Sequence, residues 1–268
     1  MMTATRIAKR MIGVADRMGV PVTAGIRAGA GRGLRINLLN ATREHAEGTC
    51  EPPVQRCLGE HLGTGGVFLD IGANIGFFSI IAARLVGPGG RVLAIEPVPE
   101  NARLIRANAR INRLGNVEVI EAAAGAGSGQ GRLFIAAHSG GATLSADDAP
   151  PDMVDVMDVP VVVVDELVNE ARIPVPTVVK IDVEGTEPAV IDGMARTLER
   201  LRPVVIFEVD DADPRQAERK YEALAARIGA FGYRVDRLER SYAGIPWAVI
   251  HGVALPGLPV RSGGRKPA

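Results

Sequence analysis

From Val67 to Leu255 the chain alternates short apolar runs with longer stretches in which apolar residues recur every three or four positions. The short runs have strand length and the longer stretches have helical period. Residues 67–70 read as a buried strand and 76–86 as a helix. Residues 91–96 are a second strand, 99–113 a helix whose Pro99 suits a first turn, and 117–123 a third strand. Residues 177–182 are a further strand, a helix opens near Thr186 and Pro188, and 204–209 form the next strand. Asp213 and Pro214 supply an N-cap and first turn for a helix that ends near Gly232. Residues 233–238 and 247–255 read as a closing hairpin. Strands separated by helices imply βαβ units. The expected fold is therefore α/β and Rossmann-like: a mainly parallel sheet with an antiparallel edge strand and helices on both faces.

The alternation breaks between 125 and 165, where Gly, Ser, Asp and Pro cluster around two strand-like runs, 132–136 and 159–164. An insert of this kind sits at one end of a sheet and can cover a ligand. Residues 1–60 read as a helical or irregular extension, a candidate cap over a site. Residues 61–256 form the Rossmann-like domain, and 257–268 a flexible tail without periodicity. Within residues 1–35, seven basic residues face one acid, Asp16, and Ile7, Met11, Val14 and Met18 recur at helical spacing. The expectation is a helix packed on the main domain with a solvated basic face; the competing reading is a helix lying on an anionic membrane.

Composition narrows the partners. Lys plus Arg equals Asp plus Glu at 31 each, and aromatic residues are 4% of the 268. A nucleic-acid binder usually has a basic excess and stacking aromatics, so no nucleic-acid partner is expected. No stretch has the ~20 apolar residues of a membrane helix. The two cysteines, Cys50 and Cys57, match no metal motif and are too few for a disulfide framework, which fits reduced thiols in a cytoplasmic protein.

The strongest chemical signal is Asp70-Ile71-Gly72-Ala73-Asn74-Ile75-Gly76, which ends a strand and opens a helix. Gly72 permits a tight turn with close backbone approach, and Gly76 lets the helix start close to the sheet. Ligands of open α/β sheets bind at this carboxyl edge. Glu96, followed by Pro97, ends the next strand, where an acid can accept from both ribose hydroxyls of an adenosine. The NAD fingerprint G-x-G-x-x-G is absent. A pyrophosphate wants free backbone N–H groups, whereas the amino-acid end of S-adenosylmethionine wants carboxylate and amide partners, which Asp70 and Asn74 offer. Ala122 and Ala123, at the end of the third strand, leave room for an adenine ring.

Asp70–Gly76 with Phe77-Phe78-Ser79, Glu96-Pro97-Val98-Pro99-Glu100-Asn101, and Lys180-Ile181-Asp182-Val183-Glu184-Gly185-Thr186-Glu187 together resemble the FkbM family of S-adenosylmethionine-dependent methyltransferases. The resemblance runs from about Gly48 to Leu255. It departs at Thr49-Cys50-Glu51, where members often carry a Gly-Xaa-Tyr-Glu-like segment. It implies O-methylation of a hydroxyl on a small molecule, a natural product or a sugar, with Asp70, Gly72, Asn74, Gly76 and Glu96 holding the cofactor. Ala73, Pro97, Ala122 and Ala123 complete the expected cofactor set.

An alcohol is a poor nucleophile near neutral pH, so a base or a metal must assist it. Asp182 is the first candidate base and Glu208, ending the next strand, the second. Asp182, Glu208 and Asp210 are candidate oxygen ligands for Mg²⁺. Lys180 is a candidate partner for a carboxylate, and His138 in the insert a candidate loop base. An NAD-dependent oxidoreductase and a non-catalytic nucleotide-binding protein are the rival functions.

Overall fold

The computed structural model describes residues 11–15, 18, 20–136, 141–144, 153–242 and 247–257. Strands β1 (Thr23–Gly25) and β2 (Arg35–Asn37) pair antiparallel and precede helices α1 (Arg43–Glu47) and α2 (Pro52–His61). The βα alternation then runs β3 (Val67–Ile71), α3 (Phe77–Val86), β4 (Arg91–Ile95), α4 (Pro99–Ile111) and β5 (Val117–Ile120). The insert holds β6 (Ala123–Ala124), β7 (Gly129–Ala136), β8 (Ala142–Thr143) and β9 (Met153–Val162), and α5 (Val164–Asn169) follows it. The second half contains β10 (Val178–Ile181), α6 (Glu187–Gly193), a π-helical turn at Thr197–Leu201, β11 (Val204–Asp211), α7 (Pro214–Gly229), β12 (Tyr233–Arg237) and β13 (Ala248–Pro256).

The main sheet has the order β12-β13-β11-β10-β3-β4-β5. The strand order reverses between β3 and β10, which places a crevice at their carboxyl ends. The pairs from β11 through β5 are parallel, and β13 is antiparallel to both β11 and β12. The closing hairpin is thus present, with one correction of detail. Its antiparallel strand is not the edge strand but lies one place inside, because β13 inserts between β11 and β12. The insert folds as a second sheet of order β6-β9-β7-β8.

Strand alternation sends successive side chains to opposite faces. Leu69, Val179, Val205 and Phe207 pack on one face against Val190 and Ile191 of α6 and Leu224 and Ile228 of α7. Phe68, Val178, Ile206 and Val253 pack on the other against Ile80 and Ile81 of α3. Ile36, Val54, Cys57 and Leu58 join that second cluster, so the chain between β2 and α2 covers the same sheet face as α3. Asn108 of α4 ties it down: Oδ1 accepts from the backbone N–H of Asn37 at 2.7 Å, and Nδ2 donates to the carbonyl of Ile75 at 2.8 Å.

Residues 11–15 are helical. Met11 and Met18 are 68% and 76% exposed, so the apolar stripe is not packed at these positions. Ile7, His138, Ser139, Gly140 and the tail beyond Gly257 lie outside the described residues. Cys50 and Cys57 are free and buried. Among the described residues no helix is long and apolar enough to cross a membrane.

Candidate active site

On the face that carries Phe68, Val178, Ile206 and Val253, each strand changes from apolar to ionisable two residues nearer the crevice. Asp70 follows Phe68, Lys180 follows Val178, Glu208 follows Ile206, and His251 stands two before Val253 on the antiparallel strand. The crevice end of this face is therefore a polar floor under an apolar base.

One half of the crevice is a cleft of about 250 Å³. Gly72, Asn74, Glu96, Pro97, Ala122, Ala123 and Asp182 all line it. Gly72, Asn74 and Gly76 adopt φ of +78°, +51° and +81°, so the chain winds through the left-handed region three times in five residues. Gly72 is required less by a ligand than by the protein: a Cβ there would stand 1.7 Å from the carbonyl oxygen of Asp182. At Gly76 a Cβ would press on Ile105 of α4 at 3.1 Å, so this glycine serves the packing of the α3 start against the neighbouring helix rather than against the sheet. This winding turns the Asn74 N–H onto Glu96 Oε2 at 2.8 Å. Glu96 Oε1 accepts from the Val98 N–H at 2.9 Å and from Asn101 Nδ2 at 3.3 Å. Burial nevertheless pushes the Glu96 carboxyl up to about 7, with those three hydrogen bonds working against the rise. The insert supplies an apolar wall through Leu133, Ile135, Ala142 and Leu144.

Asp70, Ala73 and Gly76 do not line the cleft. Asp70 lies behind it, with Oδ2 accepting from Ser79 Oγ at 2.5 Å and Oδ1 buried without a hydrogen bond. Burial lifts its carboxyl to about 6, against the pull of Lys180 and Ser79. Asn74 Oδ1 is a second buried oxygen without a partner, and Asn74 is on the cleft wall.

Next to this cleft is a network of charges. Lys180 Nζ donates to Asp182 Oδ2 at 2.6 Å, and Nζ stands 4.9 Å from the centroid of the Phe78 ring. Burial opposes the Lys180 charge, yet Asp182, Glu51, Asp70 and Glu208 together raise its pKa well above an ordinary lysine. His251 Nε2 lies 3.1 Å from Glu51 Oε2 and 2.5 Å from Glu208 Oε2. Burial opposes its charge too, but Glu208 and Glu51 lift it to about 10, so without another cation the ring is an imidazolium. Burial, with Asp182 beside it, pushes Glu208 up to about 8, although His251 pulls the other way. Glu51, despite burial, is lowered to about 2 by Lys180 and His251, and Tyr242 donates to its Oε1 at 3.4 Å.

The proposed Mg²⁺ ligands do not gather. Asp182 is engaged by Lys180, Asp210 Oδ2 accepts from the Trp247 indole N–H, and Glu208 faces His251. Among the described residues, the set within one ion's reach is Glu51, Glu208 and His251. In the turn before the next helix, Glu187 Oε1 accepts from the N–H groups of Gly185 at 3.0 Å and Val183 at 3.4 Å.

The Methyltransferase FkbM domain family matches residues 70–235, well over half of the chain. The chain belongs to this family. The crystal structure of the FkbM methyltransferase from Methylobacillus flagellatus KT shares the fold at 17% identity and a TM-score of 0.50, covering 71% of this chain and 44% of that one. The hexuronic acid methyltransferase AglP of Haloferax volcanii is 28% identical over 173 residues, 63% of this chain and 66% of AglP. The protein-L-isoaspartate O-methyltransferase of Aeropyrum pernix is 44% identical over 64 residues, 24% of each chain. The matched stretches therefore span about a quarter to two thirds of these relatives' lengths.

Two residues of this charged network, Glu51 and His251, lie outside the span the family matches and escape sequence reasoning. His251 is a single histidine in an apolar strand, which reads as packing until β13 is known to insert beside β11. Glu51 sits in the segment that departs from the family pattern. Gly48 before it holds φ +78°, where a Cβ would stand 2.1 Å from the carbonyl oxygen of Ala28. The signal available was that rigid glycine followed, three residues on, by an acid before Pro52-Pro53.

Proposed function

We propose that this chain transfers the methyl group of S-adenosylmethionine to a hydroxyl of a small molecule, a natural product or a sugar, by in-line displacement. One observation carries the reading. Glu96 is held at the end of β4 by three donors, on the wall of a cleft that the small side chains of Ala122 and Ala123 also line. An acid so fixed accepts from two vicinal ribose hydroxyls. The fit extends to the other end of the cofactor. Asn74 has an unpartnered buried oxygen for an ammonium group, and Asp70 keeps one unpartnered oxygen behind the Gly72 loop, where its charge favours a nearby sulfonium. Bound there, S-adenosylmethionine supplies an electrophilic methyl on a good leaving group.

The protein's part is then positioning and proton transfer. Asp182 is the carboxylate of the charged network that lines the cleft, with its side chain 24% exposed. Lys180 fixes its orientation through the 2.6 Å contact to Oδ2. Asp182 accepts the hydroxyl proton as the oxygen takes the methyl group. Glu208 does not line the cleft and is turned toward His251, so the reading gives the base to Asp182. A sugar acid is the acceptor class named for AglP, and it is a first compound class to screen.

The test is calorimetric titration with S-adenosylmethionine and, separately, NAD, followed by a methyl-transfer screen over hydroxylated acceptors. The expected result is binding of S-adenosylmethionine alone, weakened in Glu96→Ala. Asp182→Asn is expected to keep binding and lose about 10²–10⁴-fold in rate. Binding of NAD, or of neither, overturns the reading.

A further inference from the structure

The geometry points to a divalent transition-metal site formed by Glu51, Glu208 and His251 beside the cofactor cleft. Three donor atoms from three separate elements meet there: Oε2 of Glu51, Oε2 of Glu208 and Nε2 of His251, all within 4.8 Å of one another. Two of them are placed by the sheet. Glu208 of β11 and His251 of β13 are direct partners in the antiparallel ladder, so their side chains leave the same face side by side. The third is brought from above. Glu51 is the N-cap of α2, with φ +42°, a left-handed conformation that a glutamate adopts only when its surroundings impose it. Gln55 imposes it: Nε2 donates to the carbonyls of Gly48 and Cys50 at 3.2 and 2.5 Å, and Oε1 accepts from the Ala30 N–H at 2.8 Å.

Three further observations distinguish this cluster from an ordinary ion pair. First, a single ring nitrogen, Nε2, faces two buried acids, Glu208 Oε2 at 2.5 Å and Glu51 Oε2 at 3.1 Å. One ring N–H cannot serve two carboxylates at once, so one of the acids is left for another cation. Second, the far nitrogen of the ring, Nδ1, is engaged by Ser241 Oγ at 3.1 Å, which directs Nε2 toward the acids, as outer partners of metal-bound histidines do. Third, the surrounding charge is unbalanced. Asp70, Asp182, Glu51 and Glu208 surround one lysine, Lys180, so carboxyl groups outnumber the permanent cations around the cluster.

One imidazole with two carboxylates suits Zn²⁺, Mn²⁺ or Fe²⁺ better than Mg²⁺, which prefers oxygen and retains its waters. Three protein ligands also leave a coordination position open. Any use of that position to acidify an acceptor hydroxyl rests on the methyl-transfer reading; the presence of the ion does not.

The experiment strips the purified full-length protein with a chelator, dialyses it against Zn²⁺, Mn²⁺ or Co²⁺, and measures metal per chain together with the visible absorption of the Co²⁺ form. The expected result is one ion per chain, with ligand-field bands that move in His251→Asn. Affinity is expected to fall by at least about tenfold in Glu51→Gln and His251→Asn. Circular dichroism and S-adenosylmethionine titration establish that each variant is folded, and Glu208→Gln, which keeps the side chain's shape, stands in for any that is not. No stoichiometric ion, or an affinity unchanged in folded His251→Asn or Glu208→Gln, overturns the proposal and leaves the imidazolium as the cation between the two acids. Loss of S-adenosylmethionine binding with metal retained counts against the methyl-transfer reading alone.

Discussion

Glu96, the acid proposed to hold the cofactor ribose, is buried, and its proton can be followed. Its pKa in the folded chain, about 7, stands above the ordinary 4.5 because burial penalises the charge more than its three donors reward it. Between those two values the folded chain holds the proton more tightly than the unfolded chain does. Stability contributed by this group is thus fully present below pH 4.5, declines as pH rises toward 7, and is flat above, a span of about 3 kcal/mol. A ribose that donates two hydroxyls wants the ionised form. We therefore expect S-adenosylmethionine affinity to rise about tenfold from pH 6 to pH 8 in the wild type, following the ionised fraction. Glu96→Gln should bind about tenfold to a hundredfold more weakly at pH 8 and show a flatter pH profile. Titrations at three pH values check this; an equal slope in both proteins would remove Glu96 from the ribose site.

At the scale of elements, legibility followed the period of the pattern. The helices at 77–86 and 99–111 and the strands from 67, 91, 178 and 204 were readable because both sheet faces are buried and the apolar signal is strong. The Asp213 cap was readable because a short acid before proline has a local partner, the Arg215 N–H at 2.9 Å. The insert was only half legible. Strand β9 starts at Met153, yet its first four residues are exposed and carry no alternation for a sequence to show. The charged floor was legible where parallel strands end, at Asp70, Lys180, Asp182 and Glu208, and invisible where it depended on topology. His251 joins only because β13 inserts beside β11, and Glu51 only because α2 covers that face. Non-local joints of this kind also hold the elements in place. Asp165, in α5, accepts from the N–H groups of Arg196 and Thr197 and from Thr197 Oγ1, all between 2.7 and 2.8 Å, and so anchors the π-helical turn 31 residues away. Asp165→Ala is expected to cost about 1–2 kcal/mol, because three donors lose their acceptor. Chemical denaturation measures it, and S-adenosylmethionine affinity should not change, since Asp165 does not touch the cleft. A stability within error of wild type would show that solvent satisfies this turn as well as Asp165 does.

For the whole molecule, the division between extension and domain has a physical test. A boundary near residue 60 follows naturally from where the βα alternation begins, yet Ile36, Val54 and Leu58 are fully buried in one cluster with Phe68, Ile80 and Ile206. Each such side chain contributes about 1.5–3 kcal/mol on burial. Removing the three, together with Leu34, Cys57 and Leu62, exposes a sheet face and withdraws an amount comparable to the about 5–15 kcal/mol that keeps a typical domain folded. The segment also delivers Glu51 to the charged floor, so its fold and the site's electrostatics depend on the same contacts. We expect a chain begun at Gly63 to show no cooperative thermal transition and no S-adenosylmethionine binding. In the full chain, melting followed by tyrosine and tryptophan fluorescence and by far-ultraviolet circular dichroism should give one coincident transition. Two separated transitions, or a shortened chain that melts cooperatively and binds the cofactor, would mean that residues 1–62 are an appendage and that the polar floor can form without its cover.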